Sequence, residues 1–130
     1  MNTFINMPFT TTTTSFITEH EMKKLESYGE VTRNPYDRNL THDELPQYII
    51  DAEVIITGWG HCMINSDLVK NAKNLMVILH TGGSVADYVD INFLKMICNK
   101  CNYMSYYNTC QTIKLMRCDY RQPNRLCCVK

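Results

Sequence analysis

Apolar residues along this chain fall into short uninterrupted runs, separated by segments in which they recur every three or four positions. The clearest run is Ala52-Glu53-Val54-Ile55-Ile56-Thr57, rich in β-branched residues and closed by Gly58-Trp59-Gly60. A second, Leu75-Met76-Val77-Ile78-Leu79-His80, is closed by Thr81-Gly82-Gly83-Ser84. Both read as strands, and because apolar and polar residues do not alternate in them, both faces are expected to be buried, as in a parallel sheet. Thr3 to Met7, ended by Pro8, and Glu30 to Asn34, ended by Pro35, are shorter strand candidates. The threonine tract Thr10 to Thr14 is β-branched, disfavours helix, and reads as strand end or loop.

Helix signals lie between these runs. Thr18-Glu19-His20-Glu21 has the form of a capping box, followed by a stripe of Met22, Leu25 and Tyr28 and a stop at Gly29. Thr41-His42-Asp43-Glu44 repeats the box ahead of Leu45, Tyr48 and Ile49, with Pro46 in the tolerant first turn. Asn65-Ser66-Asp67 opens a third helix through Leu68, Val69 and Ala72, and a fourth is expected beyond Ala86 through Val89, Phe93, Leu94 and Ile97. Strands alternating with short helices predict an α/β fold with a mainly parallel sheet, in which Val54–Ile56 and Val77–Leu79 are central neighbours. Further on, only Tyr103 to Tyr107 and Ile113 to Met116 stand out, and residues 108–130 are expected to be poorly packed.

A length of 130 residues suits one domain, and 45% hydrophobic with 20% charged residues is ordinary for a globular chain. No apolar run approaches the roughly 20 residues of a membrane span. The first 22 residues contain no Lys or Arg and no apolar block of the signal-peptide kind. A cytoplasmic location without membrane contact is the expectation. The net charge of zero conceals a division: residues 1–94 carry twelve acids and six bases, residues 95–130 one acid and seven bases. Six of the seven cysteines lie after residue 95 and all five glycines before residue 84. The chain is therefore read as a domain over 1–94 and a divergent basic, Cys-rich tail over 95–130, itself a last strand plus a poorly ordered segment.

The turn Thr81-Gly82-Gly83-Ser84-Val85 is the strongest chemical signal. It follows a buried strand and precedes a helix, where open α/β sheets bind ligands, and its amides with the helix N-terminus suit an anion. It reads equally as a plain βα connection, since it completes no nucleotide-binding motif. Trp59, between two glycines, is either a pocket wall or a loop plug. His80 is either a base or a satisfied structural residue; His61 and Cys62 are adjacent, which does not make a nucleophile–base pair; His20 and His42 are expected in solvent. Cys98-Asn99-Lys100-Cys101 lacks a second suitably spaced pair for zinc. The basic residues interleaved with Tyr103, Tyr106, Tyr107 and Tyr120 belong to no nucleic-acid module.

Leu40-Thr41-His42-Asp43-Glu44-Leu45, Asp51 through Gly60 and Leu75 through Val85 stand in an order and spacing that resemble the N-terminal, substrate-binding domain of the NAD-dependent D-isomer-specific 2-hydroxyacid dehydrogenases. The likeness covers roughly residues 16–90. It implies a flavodoxin-like, three-layer domain that packs against a separate NAD-binding domain. It also implies a substrate cleft with the amides of Gly82, Gly83, Ser84 and Val85 on the substrate carboxylate and Trp59 on the wall. The family's Gly-x-Gly-x-x-Gly fingerprint and its catalytic Arg, Glu and His lie further along than this sequence reaches. No catalytic or cofactor-binding residue is therefore assigned, and no cofactor is expected to bind this chain alone. A truncated or frame-shifted product accounts for the change after Asp90. Three functions remain open: a substrate-binding half that holds a 2-oxo or 2-hydroxy acid weakly or joins a separately encoded NAD-binding domain, a stand-alone flavodoxin-like interaction or regulatory module, and a metal or nucleic-acid binder acting through the cysteine tail.

Overall fold

A computed structural model describes residues 1–10, 15–81 and 88–90, together with the strand 114–117. Four strands, β1 (Thr3–Asn6), β2 (Val31–Arg33), β3 (Val54–Thr57) and β4 (Val77–His80), form a parallel sheet in the order β2-β1-β3-β4. This is the doubly wound, flavodoxin-like order. A fifth strand, β5 (Lys114–Arg117), runs antiparallel along β4. The two runs expected at the centre are indeed neighbours, with Val54 opposite Val77 and Thr57 opposite His80.

Side chains alternate across each strand, and the two faces make two cores. Phe4, Ile55 and Ile78 pack with Leu45, Ile49, Leu68, Val69 and Ala72, so α2 (Leu45–Ile49) and α3 (Ser66–Val69) cover one face. Ile5, Met7, Val54 and Ile56 form the second core with Met22 and Leu25 of α1 (Glu19–Glu26). Helices on both faces of the sheet make the three layers. The cover is uneven: α1 buries none of its residues fully, and Val77 and Leu79 on its side of β4 are only half-buried.

The helix signals act as read, with adjustments. The Glu21 carboxylate accepts hydrogen bonds from the backbone N–H (2.9 Å) and the hydroxyl of Thr18; this holds its pKa below the usual carboxylate range. Gly29, at φ 148°, ends the helix region where an added Cβ would strike the backbone of Met1. Ahead of α2, Glu44 accepts the Thr41 N–H at 2.9 Å and forms a two-pronged pair with Arg38 at 2.7 and 2.8 Å. That pair is the main reason the Glu44 carboxyl falls to about 2. Asn65 caps α3 by accepting the Leu68 N–H at 3.0 Å. The helix stops at Val69 rather than Ala72, because a tight turn with the Ala72 N–H on the Val69 carbonyl (2.9 Å) brings Ala72 and Leu75 into the core.

One expectation is corrected. Val89 does not belong to a helix: it forms a parallel bridge with Ile64, whose N–H donates to Tyr88 (2.8 Å) and whose carbonyl accepts from Asp90 (2.9 Å). These bonds take the backbone groups that a first helical turn would use. Within the tail, Lys114–Arg117 are hydrogen-bonded along β4, which agrees with the last strand expected there; β4 has an open side, and edge pairing satisfies its ladder. The rest of both segments, the Tyr103–Tyr107 strand and the tail cysteines lie outside the described residues. Among the described residues no helix is long and apolar enough to cross a membrane.

Candidate functional site at the carboxyl edge of the sheet

In the order β2-β1-β3-β4 the chain leaves β1 toward one side of the sheet and returns to build β3 and β4 on the other. The loops after β1 and β3 therefore part at one point on the carboxyl edge, and such switch points are where open α/β sheets hold ligands. Trp59 lies in the loop after β3 and packs edge-on against Phe16 from the segment after β1, with ring centroids 4.9 Å apart. It remains 53% exposed. Gly60 beside it has φ 78°, and an added Cβ would sit 2.7 Å from Asn39 Nδ2. Gly60→Ala is thus expected to cost about 1–2 kcal/mol from left-handed strain and the collision, measured as a lower urea midpoint.

Below this loop, a row of polar groups ends the strands. Asn6, Thr57 and His80 are opposite one another on adjacent strands, share the face of Phe4 and Ile55, and are all buried. The Thr57 hydroxyl donates to the Leu79 carbonyl at 3.1 Å and lies 2.9 Å from His80 Nδ1. With its one proton so spent, the hydroxyl oxygen accepts from Nδ1, which fixes the His80 tautomer. His61, also buried, has Nδ1 2.7 Å from the Cys62 carbonyl. A carbonyl only accepts, so Nδ1 carries the proton and Nε2 is a bare acceptor with no hydrogen-bond partner among the described residues. Burial pushes the His61 pKa down to about 4, opposed by the Cys62 carbonyl and aided slightly by nearby His80. Tyr88, delivered by the Ile64–Val89 bridge, completes a ring cluster at 4.8 Å from His61 and 5.2 Å from His80. Both amide atoms of Asn6 are likewise buried without a partner among the described residues.

Thr81 ties the next turn to this edge. Its N–H and its hydroxyl both donate to the Thr57 carbonyl, at 2.9 and 3.1 Å. The turn named from the sequence therefore starts at the carboxyl edge; Gly82, Gly83, Ser84 and Val85 themselves lie outside the described residues. His20 and His42 are exposed, as expected, and His80 is a bonded, buried residue. His61 is bound to the Cys62 carbonyl and not to its thiol, while burial raises the Cys62 pKa. No nucleophile–base pair forms there. With its pKa held down to about 4 by burial, His61 is neutral at neutral pH and offers Nε2 to the site as a hydrogen-bond acceptor.

Asn6 and Tyr88 were not singled out by sequence reasoning, and His61 was weighed only as the neighbour of Cys62. Asn6 carried a signal in its position, as the polar residue on the Phe4 face of an otherwise apolar run. Tyr88 carried none, because a bridge between residues 64 and 89 has no local pattern. Among the described residues, no group of three His, Cys, Asp or Glu side chains is placed to hold a metal ion. No protein-family model and no curated protein matches the chain.

Proposed function

We propose that this chain is the substrate-binding part of a D-2-hydroxyacid dehydrogenase-like oxidoreductase, holding the carboxylate of a small 2-oxo or 2-hydroxy acid at the turn Gly82–Val85. One observation carries the reading: β4 is an inner strand of a flavodoxin-like sheet, and Thr81 pins its end to Thr57 beside the switch point. That puts the origin of a Gly-Gly-Ser turn at the edge where backbone amides meet anions. Trp59, exposed above the same edge, is the wall against which the acid's side chain would rest.

NAD belongs to the proposed parent enzyme and does not suit this chain. Dinucleotide folds carry a Gly-rich turn after the first strand, so that the backbone approaches the pyrophosphate. Here that turn is Met7-Pro8-Phe9-Thr10, with the Met7 side chain buried in the core and Pro8 lacking an N–H. The residues present do not fit the cofactor, and hydride transfer would require a second, NAD-binding domain.

Titration of the chain with pyruvate, followed by amide and indole NMR signals, is expected to shift Thr81 and Trp59. Gly83→Leu, which blocks backbone approach, is expected to remove those shifts, and the chain alone is expected not to oxidise NADH. Pyruvate shifts unaltered by the Gly83 change, or none at all, would discard the carboxylate site. NADH turnover by the chain alone would discard the two-domain reading. A stand-alone interaction module is the remaining reading if pyruvate does not bind, and half-exposed Trp59 is the feature that favours it.

A further inference from the structure

The opposite face of the sheet carries a second feature. Between α1 and the carboxyl half of β1 lies a groove of about 440 Å³, lined by Ile5, Met7, Phe9, Ile17, Met22 and Arg33 among others. That volume falls within the roughly 300–1,000 Å³ of small-molecule sites. Its lining is apolar except for the Arg33 guanidinium and the side chains of Glu19 and Glu26; the guanidinium lies 4.8 Å from the centre of the Phe9 ring and directs Nη2 at the Met22 sulfur, 3.3 Å away. A ring face and a thioether are weak partners for a five-donor cation. No carboxylate of the described residues lies within ion-pair distance of Arg33. Two glutamates border the groove. Glu19 is paired with Lys23 at 2.8 Å, and Glu26 lies seven residues further along α1, a rise of roughly 10 Å.

An oxyanion is the complement that Arg33 lacks, because its planar fork matches a carboxylate with two parallel bonds. The remainder of the groove sets the body of the ligand. Met7 and Met22 are soft, adaptable thioethers that favour contact with aromatic rings, and Phe9, Ile5 and Ile17 supply flat and branched apolar walls. We propose that this groove binds an aromatic carboxylate, with the ring between Met7 and Met22 and the carboxylate on Arg33. The groove lies on the other face of the sheet from Asn6, Thr57 and His80, and it meets the turn after β4 at the Met7 sulfur, 3.7 Å from the Thr81 hydroxyl.

Phenylacetate is the probe, with phenylacetamide as the uncharged control and acetate as the control without a ring. Phenylacetate is expected to shift the amide signals of Ile5, Phe9 and Met22, with binding roughly 10- to 100-fold tighter than phenylacetamide, the worth of charge-assisted bonds to Arg33. Acetate is expected not to bind. Arg33→Met should bring phenylacetate down to the level of the amide, and Ile17→Trp, which fills the groove, should abolish binding of both. Equal binding of phenylacetate and phenylacetamide by the unaltered protein would overturn the proposal even if neither variant folds. Shifts confined to Trp59 and Thr81, or no shift at all, would overturn it as well. Because Thr81 touches Met7, pyruvate binding at the turn after β4 is told apart by the Trp59 indole signal and its loss in Gly83→Leu, and groove binding by Phe9 and Met22, so the two sites stand or fall separately.

Discussion

Replacement of Ile55 by alanine is expected to lower the unfolding free energy by about 3–4 kcal/mol, within the range for large-to-small changes at fully buried sites. Ile55 is 0% exposed and lies in β3, with β1 on one side and β4 on the other. Its side chain faces the larger core, among Phe4, Leu45, Ile49 and Ile78. Inner strands close-packed between neighbours have little room to collapse into a void, so the cavity remains and its lining loses dispersion contacts. Leu25→Ala in α1 serves as the comparison. It also removes a leucine-sized side chain, but Leu25 is only half-buried on the thinly covered face, and its cost should be about 1 kcal/mol. Urea unfolding of the two variants against the parent checks both values. Equal costs would mean that the two faces of the sheet are packed alike.

Acid is expected to weaken the fold through His61. Its folded-state pKa of about 4 lies below the unfolded value of roughly 6.5. Between those values the unfolded chain binds a proton that the folded chain refuses. Stability from this group is therefore complete above pH 6.5 and falls as pH drops toward 4, by about 1.4 kcal/mol per unit and roughly 3 kcal/mol in all. The cause is geometric: the ring is 4% exposed, with Nε2 facing no acceptor among the described residues, so a second ring proton would be buried without a partner. His61→Phe keeps the ring contacts with Tyr88 and removes the titration. Urea midpoints of this variant between pH 7 and pH 4 should fall less steeply, by about one bound proton, than those of the parent. An unchanged slope would move the acid sensitivity to other groups.

Where local pattern and tertiary demand agreed, the fold was legible in the residues. Val54–Thr57 and Val77–His80 are continuous apolar runs because each is an inner strand of the sheet. Thr18 with Glu21, and Asn65, announce helix starts because caps act within four residues. The alternation of these elements is sufficient to imply a parallel sheet with helices on both faces, and the structure bears that out. The ends of elements were less legible. Whether α3 stopped at Val69 or Ala72 depended on which geometry seated Leu75, and a helix-compatible Val89 was taken by a bridge to Ile64, 25 positions earlier.

Trp59 and His80 follow recognisable strand ends, so the sequence by itself determined that the loop after β3 and the end of β4 share one edge of the sheet. The tertiary structure alone decided which groups meet there. Asn6, Thr57 and His80 become neighbours through strand register, and His61 meets Tyr88 through a bridge far along the chain. The groove at Arg33 exists because a half-buried α1 leaves room over Ile5 and Met7, and no local pattern in β2 marks that arginine as lacking a carboxylate among the described residues. Propensity and capping act over a few residues and can be read in one dimension. Burial, tautomer and charge pairing depend on what the fold places nearby, and only three-dimensional packing sets them.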